Sequence, residues 1–199
     1  MTFGDLEIAY DEQVLAPRAW TALQARWAAE LLAEEPPGPV LELCSGAGQI
    51  GLLALSKAPE RRLVCADESA AACDFARRNA EAAGLGDRVE TRERDLAHAA
   101  RPGERFVLVM ADPPWVPSDE TARHPEDPPR AIDGGPDGLD VARVCVRVAS
   151  AHLVEGGAIL LQLGSRAQAA ALGAELDGVE LVEVREGDGG VVACLRPTR

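Results

Sequence analysis

A carboxylate, two prolines and an aromatic ring stand together at Asp112-Pro113-Pro114-Trp115, directly after the apolar run Phe106-Val107-Leu108-Val109-Met110 and Ala111. A strand that runs into Pro-Pro must stop, because proline fixes φ, lacks a ladder donor and keeps its predecessor extended. The carbonyls of Asp112 and Pro113 are then left facing a cleft, beside the Asp112 side chain. Such a set suits a planar amino group, with two acceptors for its two N–H bonds and a ring to stack on its face. A buried strand closed by prolines explains the same residues without chemistry. The functional reading therefore leans on a second motif upstream.

That motif is Val40-Leu41-Glu42-Leu43-Cys44-Ser45-Gly46-Ala47-Gly48-Gln49-Ile50-Gly51, a short apolar strand entering a glycine-rich turn and then a helical stretch. Glycines let backbone approach a ligand closely, and a helix start offers unpaired N–H groups at its positive end. Two cofactor classes suit this geometry. Gly46-x-Gly48-x-x-Gly51 satisfies the dinucleotide fingerprint, with Asp67 at the distance of a ribose-binding acid. An S-adenosylmethionine site opens in the same way, has no pyrophosphate to cradle, and needs an acid near the loop for the ammonium end of the methionine moiety. Glu42 is placed to supply or organise that acidic edge.

Together the motifs resemble a class I S-adenosylmethionine-dependent methyltransferase, and the match is closest to the HemK-type protein glutamine methyltransferases. Glu42 to Gly48 matches the family's first motif and Asp67 its second. Asp95-Leu96 matches the acid that faces the adenine amino group, Asp112-Pro113-Pro114-Trp115 the catalytic tetrapeptide, and Glu126 to Asp140 the downstream loop with its Gly-Gly-x-Asp-Gly-Leu stretch. The resemblance covers most of the chain from Val14 onward. It implies S-adenosyl-L-methionine as cofactor, held by Glu42, Cys44, Gly46, Gly48, Gln49, Ile50, Asp67, Glu68, Asp95, Leu96 and Asp112, with Asp112, Pro113, Pro114 and Trp115 catalytic and no metal.

The family's tetrapeptide usually runs Asn-Pro-Pro-Tyr, whereas this chain has Asp112 and Trp115. An Asp start is more typical of enzymes acting on the exocyclic amino group of adenine, so an adenine or a small-molecule amine stands as the alternative acceptor to a protein glutamine. Full-length bacterial members also carry a helical N-terminal domain that engages the release factor. Here some forty residues precede the glycine loop, too few for a separate domain of ordinary size. Short archaeal and eukaryotic relatives that lack the domain work with a small activator protein, and the resemblance extends that expectation to this chain.

The expected mechanism is in-line displacement at the sulfonium methyl without a covalent intermediate, and positioning carries most of it. A loop from Val116 to Gly138, flexing at Gly134-Gly135, is expected to close over substrate, and its acids hint at a basic substrate surface. An oxidoreductase would need a hydride-handling constellation, yet the sole tyrosine is Tyr10 and the sole lysine is Lys57. His98, His124 and His152 form no metal-ligand spacing. A protein that binds the nucleotide without catalysis remains the other open reading.

The elements that must position these residues alternate along the chain. An amphipathic helix is expected over Ala19 to Ala33, with Trp20, Leu23, Trp27, Leu31 and Leu32 at helical spacing. Strands follow near 40–43, 62–66, 88–92, 106–110, 158–163, 179–185 and 191–195, with helices at 50–57, 70–83, 139–153 and 166–176. Such alternation predicts an α/β fold, a doubly wound, mostly parallel seven-stranded sheet with helices on both faces and a C-terminal hairpin. A single methyltransferase domain over 1–199 is expected, with a helical lead-in over 1–37 and a Rossmann-like core over 38–199.

Composition agrees. The 199 residues with 47% hydrophobic content suffice for one sizeable core. Neither a membrane-spanning run nor a signal-peptide pattern is present, so cytoplasmic location is the default. A net charge of −13 opposes binding to a phosphate backbone and leaves a protein or small molecule as substrate. Arg61-Arg62 and Arg77-Arg78 read as solvated surface, and the five cysteines as small core hydrophobes.

Overall fold

The computed structural model describes residues 1–198. It opens with a two-stranded ribbon, β1 (Thr2–Phe3) and β2 (Leu6–Glu7), where a helical lead-in was expected. Gly4, at φ 59°, makes the tight turn, and the Met1 ammonium donates to the Ile8 carbonyl at 2.7 Å. Two-residue strands are too short to show alternation, which is why periodicity could not reveal them. After a 3-10 turn at Ala19–Thr21 comes α1 (Ala22–Glu34).

The main body continues β3 (Val40–Leu43), α2 (Gln49–Ser56), β4 (Leu63–Asp67), α3 (Ala70–Ala82), β5 (Val89–Glu93) and β6 (Phe106–Ala111). Then follow α4 (Pro129–Ile132), α5 (Asp140–His152), β7 (Leu153–Leu163), α6 (Arg166–Glu175), β8 (Val179–Gly187) and β9 (Gly190–Pro197). Seven strands form one sheet in the order β5-β4-β3-β6-β7-β9-β8, parallel except for β9, which runs against both neighbours. This is the doubly wound, Rossmann-like arrangement that the alternation predicts.

Alternate residues of the central strands feed two cores. Val40, Leu108 and Met110 pack beneath α1, α2 and α3, while Leu41, Leu43, Val109 and Ala111 face α5 and α6. Both faces are covered, so β3 and β6 are apolar except at Glu42, as buried parallel strands tend to be. Arg61, expected on the surface, is buried, because its guanidinium donates to the carbonyls of Leu32, Glu35 and Pro36 and so closes the negative end of α1. A cleft of about 300 Å³ beside it, lined by Leu32, Pro37, Lys57 and Arg61 among others, lies toward the amino ends of β3 and β4, away from the glycine loop at their carboxyl ends.

Candidate active site

The strand order reverses at β3: the chain steps outward to β4 and β5, then returns to place β6 on the other side. In open α/β sheets the ligand crevice lies outside the carboxyl ends of the strands at such a point. Register sharpens the statement. Leu43 pairs with Ala66 on one side and with Ala111 on the other, so Cys44, Asp67 and Asp112, each one residue further on, form a row across the crevice. With strands about 4.8 Å apart, the backbones at Asp67 and Asp112 stand about 10 Å apart on either side of Cys44.

The glycine loop is held from beneath. Gly48, at φ 79°, is the N-cap of α2 and has no side chain to cap with. Glu42 takes over that task, its Oε1 accepting the Gly51 N–H at 3.0 Å and its Oε2 lying 3.4 Å from the Cys65 thiol. Its carboxyl is 2% exposed, and burial pushes it up to about 8. Glu42 therefore organises the loop from within the core. Asp67 ties the other side, accepting the Gly46 N–H and the Ser69 N–H, both at 2.9 Å. Burial raises its carboxyl, and those two N–H groups partly offset the rise.

Above the loop there is room and unmet hydrogen-bonding capacity. A Cβ on Gly46 would touch nothing within 4 Å. Ser45 Oγ and Gln49 Oε1 are buried without a partner among the described residues. Cys44 adopts φ 54°, a left-handed conformation that lifts the chain off the strand, and contact with the Cys145 thiol together with burial raises its own thiol well above the usual range. It is a neutral lining group. Ile50 is a core side chain, 2% exposed, so only its backbone N–H is offered at the helix start.

On the far wall, Asp112 is half-buried, and burial alone lifts its carboxyl to about 7. No basic side chain among the described residues compensates Asp112 or Asp67. The crevice is thus acidic and suits a ligand carrying positive charge. S-adenosylmethionine, with its ammonium and sulfonium, matches this set: an open glycine, two orphaned polar side chains and uncompensated acids. Trp115 lays its ring over Gly164, where a Cβ would come within 2.5 Å of it.

Residues 25–124 match the methyltransferase small domain. The chain belongs to that family. The release factor glutamine methyltransferase of Xylella fastidiosa is similar at 35% identity, covering 81% of this chain and 60% of the relative. The ribosomal protein uL3 glutamine methyltransferase of Burkholderia pseudomallei is 30% identical over 91% of this chain and 63% of its own length. This chain thus spans about six-tenths of the curated relatives it matches. Among solved structures, TrmN from Thermus thermophilus overlays with a TM-score of 0.65 at 24% identity, covering 87% of this chain and 48% of that one, a likeness of fold.

Several expected residues of this methyltransferase domain also make contacts within the chain. Asp95 caps a 3-10 turn by accepting the Ala97 N–H at 2.9 Å and is otherwise exposed, while Leu96 leans on the core beneath α5. Glu68, which follows Asp67 at the end of β4, is exposed and pairs with Arg130 at 2.7 Å. The loop from Val116 to Gly138 is anchored along its length. Val116 donates to Ile132 and accepts from Gly134, Ser118 donates to Gly135, and Arg18 holds Asp127. Gly134 sits where no side chain fits, since a Cβ there would lie 2.7 Å from the Pro114 and Gly138 carbonyls.

The loop's acids are also largely spent. Glu120, Asp127 and Asp137 pair with Arg123, Arg18 and Arg143, and Asp133 accepts from Ser118, so the acidity gives no basic-substrate signal. His124, Glu126 and Asp127 bring ligating atoms within 4.8 Å of one another, a grouping that sequence spacing did not suggest, but Asp127 is already occupied by Arg18. Asn79 is a residue the motifs missed. Buried on α3, it donates to the carbonyls of Ala47 in the glycine loop and Ala9 in the N-terminal segment, and accepts the Ala9 N–H. Only its polarity at an apolar helix position could have flagged it.

Proposed function

We propose that this chain is an S-adenosylmethionine-dependent N-methyltransferase acting on a protein glutamine side chain, of the HemK type, in a protein of the translation apparatus. The single observation that carries the reading is the row formed by Cys44, Asp67 and Asp112 at the switch point, with the Pro-Pro-Trp wall beside it. The relatives named for release factor and uL3 glutamine methylation support the acceptor class. Residues 1–199 work as one unit in this reading, in the cytoplasm, with a small activator protein. No helix among the described residues is long and apolar enough to cross a membrane.

S-adenosylmethionine, when bound, supplies an electrophilic methyl on a positively charged sulfur. The glycine loop would admit it closely, Asp67 would take the ribose hydroxyls, and the acids of the row would favour its charge. Asp95 and Leu96 would border its adenine. An amide nitrogen is a poor nucleophile because its lone pair is delocalised, so the wall must orient it. Asp112 and the Pro113 carbonyl accept its two N–H bonds, Trp115 stacks on the amide plane and excludes water, and the lone pair is left directed across the crevice. The nitrogen must lose a proton as the new bond forms. Asp112, lifted to about 7, is matched to accept it near neutral pH.

A second reading, transfer to the amino group of adenine or to a small amine, is favoured by the carboxylate at the head of the tetrapeptide. Labelled methyl transfer separates the two. Wild type and Asp112→Ala are incubated with labelled cofactor and release factor, uL3, nucleic acid or a metabolite extract. Label entering the protein with wild type alone supports the glutamine reading, and label confined to the other fractions overturns it.

A further inference from the structure

The tetrapeptide is gripped at both ends by side-chain amides from opposite faces of the sheet. Gln24, on α1 and 0% exposed, donates through Nε2 to the carbonyl of Ala111, the residue before Asp112, and to the carbonyl of Leu160 on β7, both at 2.9 Å. Gln168, on α6, donates through Nε2 to the carbonyl of Trp115 at 2.9 Å and to that of Asp137 at 3.2 Å. Its Oε1 accepts the N–H of Gly164, the residue beneath the Trp115 ring, at 3.0 Å.

Neither contact is explained by core packing. Gln24 leaves its Oε1 without a partner among the described residues, an arrangement that an apolar side chain of equal size would avoid. The amide is useful there because it satisfies two carbonyls that β6 and β7 leave turned toward α1. Gln168 ties three segments together: the wall, the 134–138 turn and the end of β7. Proline-rich backbone cannot secure itself by ladder bonds, since Pro113 and Pro114 have no N–H. Its position must be fixed from outside.

We infer that Gln24 and Gln168 are positioning residues, setting Asp112 and Trp115 for the acceptor without touching it. The kinetic part of this inference rests on the methyltransferase reading, whereas the structural part does not. The test uses Gln24→Leu and Gln168→Leu in the full chain. Each is followed by cofactor affinity, acceptor kinetics with their pH dependence, and fluorine NMR of fluorotryptophan-labelled protein, in which the three tryptophans report separately.

Gln168→Leu is expected to move the Trp115 resonance alone and to lower kcat by about tenfold or more, with cofactor affinity held within about twofold. Gln24→Leu is expected to displace the apparent pKa of the rate with the same retention of cofactor. Unchanged acceptor kinetics and an unmoved Trp115 resonance would overturn the inference. So would a shift of all three resonances together with a lowered melting temperature, which marks general packing. If wild type methylates no protein glutamine and Gln168→Leu still moves Trp115 alone, the grip stands and the acceptor reading falls.

Discussion

The buried carboxyl of Glu42 accepts the backbone N–H of Gly51 at 3.0 Å, so the strand that enters the glycine loop also caps the helix that leaves it. A loop whose glycines must present bare backbone has no capping side chain of its own, and the neighbouring strand supplies one. The cost is a carboxyl in the core. Folding raises its pKa from 4.5 to about 8, so the folded chain holds a proton that the unfolded chain releases. Stability must therefore fall as pH rises through that window.

Glu42→Gln keeps the acceptor and removes the titration. Between about pH 6 and pH 8 the wild-type chain is expected to lose about 2 kcal/mol that the variant retains. Thermal melts at the two pH values should show the variant gaining roughly 4–8 °C relative to wild type at the higher one. Parallel curves for the two proteins would count against a buried, protonated Glu42.

Asp112 has the same sign but a catalytic consequence. With its carboxyl at about 7, the rate of transfer is expected to climb about tenfold per unit below that pH and to level above it. Asp112→Asn keeps an acceptor for the amide N–H, so it should retain measurable transfer while losing this rise. A wild-type rate flat from pH 5 to pH 8 would remove the proton-accepting role.

Two glycines of the loop should separate ligand approach from packing. Gly51→Ala places a Cβ 2.3 Å from Glu42 Oε2 and 2.8 Å from Leu63, and is expected to destabilise by about 1–3 kcal/mol in denaturant titration. Gly46→Ala meets open space at φ 52°, so it should fold with a loss of only about 1–2 kcal/mol and weaken cofactor binding more than Gly51→Ala does. Equal effects of both on binding would contradict the placement of the ligand over Gly46.

Asp67 and Asp95 differ in burial and partners, which predicts unequal consequences. Asp67→Ala frees the Gly46 and Ser69 N–H groups and removes the proposed ribose contact, so calorimetry should show cofactor affinity lower by about tenfold or more. Asp95→Ala removes one exposed cap and should change it by no more than about threefold. Reversal of this order would reassign the adenine and ribose sides of the crevice.

Local pattern carried the sheet and the strand-end residues, because parallel strands announce themselves as apolar runs and the crevice residues follow directly after them. β3 falls on Val40–Leu43 as read. β7 was missed over Leu153 to Gly157, since Gly156-Gly157 reads as a turn although the chain passes through it with Gly156 at φ 77° and Leu153 paired to Phe106. What pattern could not show is contact across sequence. Arg61 closes a helix end some 26 to 29 residues upstream, and Gln24 reaches Ala111 across 87 residues. These polar side chains are buried because the fold brings carbonyls to them, and nothing local distinguishes them from surface residues.

The proposed reaction leaves a methyl group on its acceptor, where mass spectrometry can locate it. After incubation of the purified chain with S-adenosylmethionine and a release factor or uL3, the acceptor is digested and the modified residue located. A single methyl is expected on the side-chain nitrogen of one glutamine, absent when Asp112→Ala replaces the wild type. A methyl found on nucleic acid or on a small amine, with every glutamine unmodified, would contradict it.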